Sequence, residues 1–135
     1  MEEKTETAKK QFTYRGKTIE ELKSMEVREF SRYLKSRARR TIIRQFDDVG
    51  KFVNRAKEKI TKNKQIRTHR RDLIIVPQMI GMRIGVHNGK TFIPVDIIGE
   101  MLGHRLGEFS LTRGKIKHGK AGVGATKGTK ALSKK

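Results

Sequence analysis

Met82-Arg83-Ile84-Gly85-Val86-His87-Asn88-Gly89-Lys90-Thr91-Phe92-Ile93-Pro94-Val95 decides the fold. Its first six residues alternate in polarity, as a strand with one buried face does. Asn88-Gly89 then signals a hairpin, because both central positions of the tight turn need φ > 0. Lys90 to Val95 returns as the partner strand, and Pro94 puts that strand at an edge or near its end. Upstream, Leu73-Ile74-Ile75-Val76 is a β-branched run stopped by Pro77, a third extended segment. Downstream, Asp96 is an N-cap candidate for a short helix through Ile97, Ile98, Met101 and Leu102, ended by Gly103. Gly107-Glu108-Phe109 makes a further tight turn.

Before residue 65 the period changes to that of helices. Phe12-Thr13-Tyr14-Arg15-Gly16-Lys17 is a short extended lead-in. Thr18 and Glu21 have capping-box spacing and open a helix whose Ile19, Leu22 and Met25 share a face. Val27, Phe30 and Leu34 form the stripe of a second helix. A third starts near Ser36, with Ala38, Ile42 and Phe46 inward and Arg37, Arg40 and Arg44 stacked on the other face. Asp47-Asp48 with Gly50 reads as a break, after which Phe52, Ala56 and Ile60 resume helical spacing until Thr61-Lys62-Asn63-Lys64. The chain thus divides into a flexible N-terminus (1–11), a helical region (12–64), a sheet-containing core (65–113) and a basic Gly/Lys-rich tail (114–135) without periodicity. The class is α+β.

Charge follows these divisions. Ser36 to Arg71 carries 13 basic and 3 acidic residues, a net of +10; the tail from Arg113 to Lys135 carries 8 basic and none acidic, a net of +8. Asp72 to Thr112 has a net of −1, and the whole chain +19. A nearly neutral module between two cationic segments suits a polyanionic neighbour. Hydrophobic residues at 34% against 35% charged give a lean core, so part of the chain is expected to order only on its partner. The absence of Cys excludes disulfides, thiol nucleophiles and Cys-ligated zinc, and suits a reducing compartment. With no apolar run near the ~20 residues of a membrane span and no signal-like start, the expectation is a soluble intracellular chain.

The chemical motifs are weak. Gly114-Lys115-Ile116-Lys117-His118-Gly119-Lys120 fits seven positions of a Walker A loop, but Ala121 replaces the magnesium-holding hydroxyl and no strand leads in. Gly81, Gly85, Gly99, Gly103 and Gly107 suggest turns and backbone lying close to a partner surface. His69, His87, His104 and His118 are too scattered for a metal site; stacking on or hydrogen bonding to RNA is one role open to them, and a merely structural one is the other. Neither Asp47-Asp48 nor Glu108 stands where a proton-transfer group is expected, and Glu108 reads as orienting a turn or an arginine. No enzyme, cofactor or metal is expected. A solvated face is the ordinary fate of a charge run, but the local excess around Arg37, Arg40, Arg44, Arg67, His69, Arg70 and Arg71 favours phosphate, which the arginine fork fits. With aromatics at only 6%, binding to backbone and shape is expected over base stacking.

Gln65 to Arg113 resembles the small-subunit ribosomal protein family number nineteen. Asn88-Gly89-Lys90, Phe92-Ile93-Pro94, Met101, Gly103-His104, Leu106-Gly107-Glu108-Phe109 and Thr112-Arg113 carry the resemblance, with Ile66-Arg67-Thr68 and Ile74-Ile75-Val76-Pro77 leading in. Phe12 to Gly16 and Lys117-His118-Gly119-Lys120, followed by Gly122, Gly124, Ala125 and Thr126, are similar to the archaeal and eukaryotic branch. His69 departs from the tryptophan usual in bacterial members. The resemblance implies a three-stranded antiparallel sheet and a place in the head of the small subunit of a cytoplasmic ribosome, with archaeal favoured. It implies binding to the 3′ domain of small-subunit rRNA and to ribosomal protein thirteen, with the tail directed toward the decoding region and tRNA. On that reading Arg37, Arg40, Arg44, Arg67, His69, Arg70, Arg71, Asn88, Lys90, His104, Arg105 and Arg113 meet rRNA, and Lys115, Lys117, His118 and Lys120 run along RNA or tRNA. A chromatin-like DNA binder is the alternative, since charge alone does not separate DNA from RNA. A nucleotide-dependent enzyme and a membrane-surface role are weaker.

Overall fold

The computed structural model describes residues 12–115. The lead-in is itself a hairpin. Strands β1 (Thr13–Tyr14) and β2 (Lys17–Thr18) pair antiparallel, turned by Arg15 and Gly16 at φ 49° and 80°. Helix α1 (Ile19–Ser24) starts where its cap predicts, with the Glu21 N–H donating to Thr18 Oγ1 at 3.4 Å. Helix α2 (Val27–Ser31) follows, and Leu22, Val27, Phe30 and Leu34 are all buried.

Helices α3 (Ser36–Arg44) and α4 (Phe46–Thr61) meet at Gln45, so the break expected at Asp47-Asp48-Gly50 lies instead one residue before α4. Asp47 and Asp48 occupy the first turn of α4, where a carboxylate complements the unpaired N–H groups of a helix start. Gly50 is accommodated inside that helix at a cost of about 1 kcal/mol. The buried stripe of α4 is Val49, Val53 and Ala56; of the expected stripe only Ala56 is fully inside, and Ile60 is exposed.

The main sheet is β3 (Ile66–Thr68), β4 (Arg83–His87) and β5 (Phe92–Asp96) in that order, with β3–β4 parallel and β4–β5 antiparallel. It is therefore mixed, not fully antiparallel as expected, and the third strand is not Leu73–Val76. That run is buried along its whole length and extended, yet lies outside the sheet. Its backbone bonds go to the segment after the hairpin: Ile75 N–H to His104 O (2.8 Å), Gly103 N–H to Ile75 O (3.2 Å) and Leu106 N–H to Leu73 O (3.0 Å). A run apolar on both faces needs cover on both sides, and here it is the centre of the core.

Two turns also differ. The β4–β5 connection is four residues long, and the Asn88 Oδ1 accepts from the N–H groups of Lys90 (2.9 Å) and Thr91 (2.7 Å). Only Gly89 takes positive φ, because the asparagine side chain supplies the turn bonds a tighter backbone would make. Asp96 ends β5 and caps nothing; the expected helix is one 3₁₀ turn at Gly99–Met101, since Ile97 is held in extended form by donating to Met82 O at 3.0 Å. Pro94 lies on an edge strand, as its missing N–H requires.

Candidate nucleic-acid interface

Charge sits on this frame in two ways. Arg37, Arg40 and Arg44 are exposed on one face of α3, and their guanidinium groups form no hydrogen bond or ion pair among the described residues. Together with Arg105, Thr41, Gln45 and Asp72 they line a cleft of about 200 Å³. Arg39 of the same helix serves the fold instead. Its Nε and Nη2 donate to Ser31 O (3.1 Å) and Arg32 O (2.7 Å), capping the end of α2.

A second cleft, of about 270 Å³, runs between α4 and β3. Lys51, Arg55 and Lys59 line it from the helix; Arg67, His69 and Arg70 line it from the strand and the turn after it. The three α4 cations are absent from the residues expected to bind, although their i, i+4, i+8 spacing is the same signal that picks out the α3 arginines.

Arg70 and Arg71, neighbours in sequence, differ. Arg70 lies at the surface between Asp72 (3.1 Å) and Asp48 (3.0 Å). The hydrogen bond with Asp72, then that with Asp48, pushes the Arg70 pKa up. The same guanidinium, with the Gln45 amide adding a second bond, outweighs burial and holds the Asp72 carboxyl below its ordinary range. Arg71 turns inward. Its Nη1 donates to His87 O (2.6 Å), and its Nη2 donates to Gly107 O (2.8 Å) and Ser110 O (2.6 Å). One guanidinium therefore ties the end of β4 to the last turn of the core. A Cβ on Gly107 would stand 3.0 Å from both Arg71 Cβ and Arg71 O, so this glycine lets two segments of the chain approach closely.

Arg67 is exposed, held by Gln65 Oε1, with its guanidinium 5.4 Å from the centre of the Phe92 ring. His69 is exposed and touches the rings of His87 and Phe92. Lys90 is exposed on the hairpin loop, and Asn88 is engaged in shaping it. His104 Nδ1 lies 2.6 Å from Glu108 Oε2, and the Arg105 N–H donates to Glu108 Oε1 at 3.2 Å. Burial raises the Glu108 pKa, but the Arg105 N–H and the His104 ring together outweigh it and hold the carboxylate ionised. Glu108 thus orients the turn and its histidine. Arg113 and Lys115 are exposed at the edge of the described residues; Lys117, His118, Lys120 and most of the Walker-like segment lie outside them. Among the described residues no three His, Asp or Glu side chains gather to hold a metal, and no helix is long and apolar enough to cross a membrane.

Fold and surface define a class: a small α+β module with arginine and lysine side chains lining two clefts. The family model of ribosomal protein S19 matches residues 42–118. The small ribosomal subunit protein uS19 of Methanocella arvoryzae is 46% identical over 123 residues, covering 90% of this chain and 86% of that protein. The chain belongs to the ribosomal protein S19 family.

Proposed function

We propose that this chain is a structural constituent of the small ribosomal subunit that acts in translation by holding folded rRNA in one geometry. As a member of its family it is a ribosomal protein, and RNA is its partner. The finer reading places it in the head of the subunit, on the 3′ domain of the rRNA and beside ribosomal protein thirteen, with the tail toward the decoding region and tRNA.

The observation that carries this is the set Arg37, Arg40 and Arg44, exposed on α3 around one cleft with Arg105 and without a side-chain partner among the described residues. Four arginines whose backbone is held in a folded scaffold present their forks to one cleft, which favours backbone recognition of an already folded RNA. The α4–β3 cleft supplies a second track, with Lys51, Arg55 and Lys59 joining Arg67 and Arg70. Arg71 leaves the proposed contacts, because its donors tie the core together. Asn88 acts through the shape of its loop, and Lys90, His104 and Arg113 remain as surface contacts.

Hydroxyl-radical footprinting of small-subunit rRNA with the full chain tests the reading. Protection confined to the 3′ domain, lost when Arg37, Arg40 and Arg44 become alanine, is the expected result. Protection scattered over the rRNA, or binding competed equally by duplex DNA, would overturn it.

A further inference from the structure

Three rings, His69 and the hairpin pair His87 and Phe92, meet at one end of the sheet, where β3 and β4 finish and β5 begins. His69 lies 4.3 Å from His87 and 5.0 Å from Phe92, centre to centre, and His87 lies 4.9 Å from Phe92. Phe92 is half-buried yet is not among the hydrophobic side chains packed on the core, His87 is half-buried, and His69 is exposed. They pack on one another, with His69 exposed outermost. An apolar cluster that served only stability would sit on the core, where each ring would gain most from burial.

The group is also held in place. Phe92 is the cross-strand partner of His87. The Gly89 N–H donates to His87 Nδ1 at 3.1 Å, which fixes that ring's orientation. After β3, the Arg70 N–H donates to Thr68 Oγ1 at 3.0 Å, so His69 projects from a set turn. Around the rings stand cations: Arg67 over Phe92, Arg70 beyond His69, and Lys90 on the loop. Asp48 and Asp72 are paired with Arg70. An exposed π-face rimmed by cations fits a nucleobase with its phosphates alongside.

We propose that His69, backed by His87 and Phe92, is a stacking site for an unpaired RNA base, splayed from a loop, bulge or strand end. This rests on the RNA-binding reading above and adds the feature recognised: one unstacked base beside Arg67 and the α4–β3 cleft. It takes up one of the roles the sequence leaves open to these histidines and departs from the preference for backbone over bases that the low aromatic content suggests, since composition counts aromatics but not their assembly.

The test compares the full chain on two RNAs of equal length, a fully paired hairpin and the same hairpin with one unpaired adenine. Wild-type chain should favour the bulged RNA by roughly tenfold, the scale of one base–ring stack. His69→Ala should bring the ratio near one, with the paired hairpin as each variant's own reference, and His69→Phe should restore it. A wild-type ratio near one, or a ratio that survives His69→Ala, overturns the proposal and leaves the general RNA-binding reading standing. Failure of wild-type chain to bind either RNA overturns both.

Discussion

The α3 face and the Arg70–Arg71 junction are both rich in arginine, yet they use it in opposite ways. On α3 the forks of Arg37, Arg40 and Arg44 stand free around a cleft. At the junction, Arg70 is shared by two aspartates and Arg71 by three carbonyls. A count of cations thus overstates what a polyanion can use. An arginine whose donors are spent inside builds the fold, and only one with unused donors adds to binding.

Substitutions can break or sharpen that contrast. The largest effect is expected from Arg71→Ala, which strands the carbonyls of His87, Gly107 and Ser110 in a half-buried place. A loss of about 3 kcal/mol in urea-unfolding stability is expected, with the salt dependence of RNA binding little changed. Gly107→Ala forces a Cβ against the backbone of Arg71 and should cost about 2 kcal/mol in the same assay. If either variant keeps wild-type stability, the junction is not a structural pin.

The mirror-image experiment is the Arg37, Arg40, Arg44 triple alanine. It should stay within about 0.5 kcal/mol of wild type in stability, since the side chains are exposed, and lower the slope of log K against log salt by up to about three units. The same slope measured for Arg67, Arg70 and Arg71 replaced together should fall by less than three, because Arg71 donates to three backbone carbonyls and Arg70 is shared by Asp48 and Asp72.

The smallest effect belongs to the Asp72 pair. Asp72→Asn should cost about 1 kcal/mol, since pair and solvent compete at groups more than 40% exposed. The folded-state pKa of Asp72 lies below its ordinary 3.8, with the bond to Arg70 the largest cause. Its contribution is therefore complete above about pH 4–5 and disappears as pH falls through the depressed value. Stability curves of wild type and Asp72→Asn should converge on acidification below pH 4. Curves that stay parallel would show that the pair adds nothing.

Local rules carry far where the chain interacts with itself nearby. Thr18 caps α1, Phe30 and Leu34 go inside, and the α3 arginines fall on one exposed face. The same rules misplace the α3–α4 break, because Asp-Asp-Gly describes a helix start as readily as a loop. Leu73–Val76 announces its burial but not its partner: a run apolar on both faces gives no alternation from which to tell a sheet strand from a segment wrapped by loops. β3 has three residues, too few for any period to show. The Lys51, Arg55 and Lys59 stripe is legible from spacing alone, whereas the meeting of His69 with His87 and Phe92 has no local signal.

The sequence by itself determined the helical half, the hairpin, the segregation of charge and the resemblance to a ribosomal family, since each rests on spacing along the chain. Only the tertiary structure decided that the sheet is mixed, that Arg71 is consumed while Arg37, Arg40 and Arg44 are free, and that three scattered rings form one surface. Those outcomes depend on which backbone groups remain to be satisfied when distant segments close on each other, and no window of sequence contains that information.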